Sequence, residues 1–170
     1  STLDVESGVF LRAGAIYEAR NDGDSDVSLL RLSFVGNNSS GTPVAIPMAS
    51  PVASSMAADA TITSIADFSL PTLQAESYTL FLERVTWFAG VDRGQYIQNG
   101  PAGIYVESGT LTISSPSGLD GDLTEGNTVL LPADQALRAR NDGDTSSQAL
   151  MFGVVPANVN PVSAVSPTPT

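Results

Sequence analysis

The side chains able to do chemistry in this 170-residue chain are carboxylates, tyrosines, arginines and amides, because histidine, lysine and cysteine are all absent. That composition removes the usual neutral-pH general base, Schiff-base chemistry, the thiol nucleophile and the commonest transition-metal ligand. Three groupings of the remaining side chains bear on function. Asp22, Asp24 and Asp26 alternate as in a calcium loop, but the glycine and distal glutamate of an EF-hand are missing. A second Asn-Asp-Gly-Asp run at 141–144 puts Ser146 where Asp26 stands, which weakens calcium further. Glu107 with Glu125 or Asp122 offers the two carboxylates of a glycosidase, although acids in a chain of net charge −11 are ordinarily solvated. Arg20 and Arg140 precede the two Asn-Asp-Gly-Asp runs; a carboxylate-binding role competes with simple pairing to the adjacent aspartates. Asn21 and Asn141 read most simply as turn residues that bond their own backbone.

Charge excludes some partners. Both halves of the chain carry more acids than arginines, so no basic patch exists for nucleic acid or an anionic membrane surface. No apolar run approaches the ~20 residues of a membrane span. Absent lysine, abundant Ser, Thr and Asn, two N-x-Ser sequons at Asn37 and Asn38, and the tail Ser166-Pro-Thr-Pro-Thr170 lead us to expect a secreted or cell-surface protein.

The elements that must position these residues are strands. Apolar residues fall in short β-rich runs at Val9–Leu11, Val27–Val35, Tyr78–Phe88, Ile104–Val106, Leu111–Ile113, Thr128–Leu131 and Ala149–Val155. Turn-prone clusters separate them, with Ser108-Gly109 and Asp120-Gly121 as tight-turn candidates, which predicts an all-β sandwich or barrel. Residues 36–69 are rich in Ser, Ala and Pro without a period and read as a linker or loop, with one short helix possible over Ala58–Phe68. Residues 157–170 read as an extended tail.

The chain also repeats itself. Residues 9–24 align without gaps on 129–144 at an offset of 120, sharing Ala-Arg-Asn-Asp-Gly-Asp and a following apolar strand.

The second copy sits in a frame that resembles the cupin family. Gly90, Tyr96, Gln98, Ala102 and Gly109 fall at the spacing of the first cupin motif. Gly126, Pro132, Asp134, Leu137 and Asn141 fall at that of the second, with Asp134 in place of its second glycine. The resemblance covers about residues 78–156 and implies a small jelly-roll barrel over 70–156. It places the family's three histidines and glutamate at Tyr96, Gln98, Leu137 and Ala102, so it implies the fold while arguing against the family's metal chemistry. The first copy matches the second motif more loosely, with Arg12, Gly14, Tyr17 and Asn21 at the corresponding places. Residues 1–35 thus resemble a half-cupin repeat whose front half is missing. Three explanations stay open: the upstream half was removed, the half packs on the complete barrel, or another subunit completes it.

From this we expect a non-catalytic, metal-free secreted module that needs no cofactor and self-assembles as a homo-oligomer through its N-terminal half-barrel. The alternative is a barrel that binds a small neutral ligand or carbohydrate around Tyr96, Gln98, Ala102 and Leu137, joined by Tyr105 and Trp87. A divergent cupin enzyme working with carboxylates, tyrosines and arginines is a third reading.

Overall fold

The computed structural model describes residues 8–9, 20–32, 65, 73 and 77–165. The chain divides into two units, 1–33 and 34–170.

The second unit is built from nine strands. They are β1 (Tyr78–Trp87), β2 (Asp92–Gln98), β3 (Ala102–Ser108), β4 (Thr110–Ser114), β5 (Asp120–Thr124), β6 (Thr128–Leu131), β7 (Gln135–Arg140), β8 (Ser147–Pro156) and β9 (Val162–Ala164). One sheet has the order β1-β8-β3-β6 and the other β5-β4-β7-β2-β9, all pairs antiparallel. The first eight strands therefore alternate between sheets, except for the hairpin β4–β5, in the manner of two Greek keys, which is the jelly roll. The core lies between the sheets. Phe81, Trp87, Ile104, Val106, Leu131, Ala149, Met151 and Val155 face Tyr96, Leu111, Ile113, Leu137 and Ala139 across it. Alternation sets which residues enter: on β3, Ala102, Ile104 and Val106 are buried while Tyr105 is half-exposed.

The left-handed positions explain the motif frame. Gly90, Gly109 and Gly126 have φ of 70°, 77° and 83° and stand where the chain leaves β1, crosses from β3 to β4, and turns from β5 to β6. Asp134, which replaces the second motif's glycine, has φ 58°. Its N–H donates to the carbonyl of Gln98 on the neighbouring strand β2 (2.6 Å). The backbone keeps the conformation a glycine adopts without penalty, and an aspartate tolerates it at modest cost. Asp134→Gly is accordingly expected to raise stability by about 0.5–1 kcal/mol, measured by urea unfolding.

Several expectations change. Asp120-Gly121 is not a turn: both residues open β5, and the turn lies before them, where Gly118 N–H donates to Ser115 O (3.0 Å). The barrel does not stop at residue 156. Beyond it the chain turns and adds β9 beside β2, so the expected extended tail begins with a strand. Gln98 and Asn99 hold this return: Asn99 N–H donates to Pro161 O (2.9 Å) and Gln98 Nε2 to the same oxygen (3.2 Å). The linker and the possible helix at Ala58–Phe68 lie outside the described residues, Ile65 excepted.

In the first unit, the turn of the repeat is reproduced in detail. Asn21 Oδ1 accepts from Gly23 N–H at 3.0 Å, and Asn141 Oδ1 accepts from Gly143 N–H at 3.0 Å. Asn21 Nδ2 donates to Ser25 O and Asn141 Nδ2 to Thr145 O. Arg20 pairs with Asp22 at 2.8 Å, as Arg140 does with Asp142. Identical sequence gives identical local geometry because each bond is made within five residues.

Candidate functional site

Tyr96 and Gln98 on β2 alternate inward and meet Leu137, which sits opposite Tyr96 on β7. Ala102 opens β3 and also faces the core. The four family ligand positions are thus brought together at the barrel centre, with exposures of 5% for Tyr96, 0% for Gln98 and Leu137, and 1% for Ala102. Trp87 joins the same core from the end of β1. Tyr105 does not: strand alternation puts it on the opposite face from Ala102, Ile104 and Val106.

The metal that cupins carry does not fit this set. Ala102 and Leu137 have no donor atom. Burial pushes the Tyr96 phenol above its ordinary pKa, which disfavours the phenolate, and Arg93 stacks over its ring at 5.0 Å. Gln98 offers one amide oxygen, Oε1. That oxygen is buried without a hydrogen-bond partner, and it is the only such side-chain atom among the described residues. One neutral oxygen is not a transition-metal site.

Two concavities open on the barrel, the second reaching the core residues Phe81 and Met151. One, of about 500 Å³, is lined by Gly94, Gln95, Ser114, Pro116, Asp120 and Arg138. The other, of about 360 Å³, is lined by Phe81, Glu83, Arg93, Met151, Pro161 and Val162. Sequence reasoning proposed none of these residues as a site, because each concavity gathers single side chains from several strands and turns, which no local motif announces.

The carboxylates considered for chemistry have other partners. Glu107 is gripped by Arg84 through both oxygens, at 2.7 and 3.0 Å. Asp122 accepts from the Thr112 hydroxyl (2.6 Å). Asp22 is paired to Arg20, and Asp22, Asp24 and Asp26 do not converge: no group of three acids able to hold a metal ion occurs among the described residues. Among the described residues, no helix is long and apolar enough to cross a membrane.

Asp92 is the titratable group held furthest from its ordinary value. The Arg138 guanidinium and then the Gly94 N–H hold its carboxyl at about 2, against 3.8 for a free aspartate. Because the folded value is the lower one, this carboxylate favours the fold at all pH above about 4. Its contribution fades as pH falls through about 2, where the folded form also takes up the proton. The pair is exposed, so the effect on stability is small. Arg138→Gln is expected to move the Asp92 titration, followed by carboxyl carbon NMR, back towards 3.8.

No family model matches the chain, and no curated protein matches it. Solved structures share its architecture at low identity. A DMSP lyase, DddQ from Ruegeria pomeroyi, is 16% identical over 48% of this chain and 41% of its own, with TM-score 0.44. An RmlC-like cupin with a double-stranded β-helix fold from Methanocaldococcus jannaschii is 13% identical over 57% and 94%, TM-score 0.42. A double-stranded β-helix protein from Klebsiella pneumoniae is 17% identical over 60% and 95%, TM-score 0.43. The chain spans less than half the length of the two DMSP lyases it matches. In strand order and in the places of its left-handed turn residues, residues 77–165 form a jelly-roll barrel.

Proposed function

We propose that this chain is a non-catalytic extracellular structural module that acts by assembly through its N-terminal half-cupin repeat. The observation that carries this reading is a mismatch of burial between the two repeats. Val27 and Leu29 are 61% and 67% exposed, whereas their equivalents Ser147 and Ala149 are 1% and 0% exposed. An apolar segment whose sequence twin is core is a surface built to be covered. The lack of a donor atom at Ala102 and Leu137 supports a structural role over metal-based catalysis.

The test is the native particle. Material isolated from its source should sediment above the monomer mass, with residues 1–35 resistant to limited proteolysis. A dilute recombinant monomer in which those residues are already resistant would sink the assembly reading.

A second reading, a barrel for a small neutral hydrogen-bond donor, is favoured by the unpartnered Gln98 Oε1. The two readings part at Gln98→Leu. If the oxygen merely sits in a packed core, its removal should leave stability unchanged or raise it by about 1 kcal/mol in thermal unfolding. If it receives a ligand, the thermal shift produced by small polyols or sugars should vanish in the variant.

A further inference from the structure

One acid interrupts the inward face of β1. The residues on that face are Phe81, Glu83, Val85 and Trp87, and in the ladder with β8 Glu83 stands opposite the core residue Met151. Phe81 and Trp87 belong to the core and Val85 packs against it, but Glu83 is exposed. The reason is its place at a seam. Among the described residues β1 and β9 are outer strands of their two sheets, and the concavity of about 360 Å³ lies between them. Its floor is apolar, with Phe81 9% and Met151 2% exposed. Facing Glu83, Arg93 of β2 and Val162 of β9 line it from the other sheet.

Glu83 and Arg93 share this cavity without pairing. Arg20, Arg84, Arg138 and Arg140 each pair with a carboxylate. Arg93 does not, and its guanidinium lies over the Tyr96 ring, 5.0 Å from the centroid. The Glu83 carboxylate has no ion pair or side-chain hydrogen bond among the described residues. An anion and a cation held apart over apolar side chains complement a molecule with opposite charges at its two ends and an apolar body between them. A single carboxylate is too little for a metal ion. A cavity of this volume takes a small molecule and not a macromolecular segment. One wall is also fixed in advance. Asn99 N–H and Gln98 Nε2 both donate to Pro161 O, and Asn99 Nδ2 donates to Asn160 O (2.8 Å). Asn160 and Pro161 line the cavity, so the return that adds β9 to its sheet also builds the site. A wall held in place before binding lowers the ordering cost of a ligand.

We infer that the seam between β1 and β9 binds a small zwitterion whose two charges are separated by an apolar body. Its carboxylate lies on Arg93, its ammonium on Glu83, and its body against Phe81, Met151 and Val162. Amino acids with a terminal amine and short apolar peptides are of this class. The site goes beyond the assembly reading and is independent of it, since none of its residues belongs to the N-terminal repeat or to the family's ligand positions.

The test titrates ε-aminocaproate into the full chain and follows the Met151 and Val162 methyl groups by NMR. Caproate and hexylamine share its body and carry one charge each, so they are titrated beside it. The zwitterion should bind roughly 10-fold more tightly than either. Glu83→Gln should remove its advantage over caproate and leave caproate binding unchanged. Arg93→Gln should remove its advantage over hexylamine and leave hexylamine binding unchanged. Both side chains are exposed, so each variant should keep the fold. The comparison of the three molecules on the unaltered chain decides the inference without the variants. Equal affinities overturn it, because the cavity then reads the apolar body alone. Saturation that leaves the Met151 and Val162 methyl groups unmoved overturns it, and so does the absence of saturable binding by the zwitterion.

Discussion

Asn141→Ala should cost the barrel about 3 kcal/mol or more, while the same change at its repeat twin, Asn21→Ala, should cost less than about 1 kcal/mol. The two side chains make the same turn, so the difference isolates what burial adds. Asn141 is 1% exposed, and its amide nitrogen reaches Trp87 O, Phe88 O and Thr145 O while its oxygen takes the Gly143 N–H. Truncation removes these bonds and leaves carbonyls at the end of β1 with no water to replace the amide. Among the described residues Asn21 makes the local bonds to Gly23 and Ser25, and water can substitute for them. Urea unfolding of the single variants measures both effects. Equal losses would mean that the link from Asn141 to β1 contributes nothing.

Gly153→Ala should be comparably damaging, at about 2–4 kcal/mol, for a steric reason. The added methyl meets a backbone carbonyl and a Cα below 3 Å and the Phe81 ring at 2.9 Å. Phe81 can turn aside, but Pro101 and Ala102 move only if β3 moves. Ala102 is paired to Gly153 on one side and Leu131 on the other, so a shift there disturbs two ladders. A useful contrast is Gly23→Ala, where the only near atom is Asn21 Oδ1 at 3.4 Å and the cost should stay below about 1 kcal/mol. Thermal unfolding of the two variants separates a tight crossing from an ordinary loop glycine.

The parts of the fold legible in the sequence were those that carry apolar runs or are fixed by backbone conformation. β1, β3, β4, β6 and β8 carry apolar runs, and Gly90, Gly109 and Gly126 mark their ends. β2, β5 and β7 were not read as strands, because Asp92-Arg-Gly-Gln-Tyr-Ile-Gln98, Asp120-Gly-Asp-Leu-Thr124 and Gln135-Ala-Leu-Arg-Ala-Arg140 alternate polar with apolar over too few residues. They form the sheet with more exposed residues, where one inward residue in two suffices. β9 is three residues held largely by Gln98 and Asn99, a tertiary bond that no local pattern announces. At the positions that the resemblance singles out, Tyr96, Gln98, Ala102 and Leu137 are all buried, while Tyr105, one residue out of phase with Ile104, is turned away.

The interleaving of early and late strands also bears on how fast this chain can fold. Among the described residues, β4–β5 is the one ladder between consecutive strands; every other joins strands separated by at least two others. Such long-range pairing is slow, since each ladder closes a large loop before gaining contacts. The hairpin Thr110–Thr124 is the natural local nucleus, and β1 finds its only partner in β8, near the other end of the unit. On a ribosome, β1 would emerge well before β8, leaving Phe81 and Trp87, buried in the finished barrel, exposed in the interval. The strand order itself thus sets how long the nascent chain must carry uncovered apolar side chains.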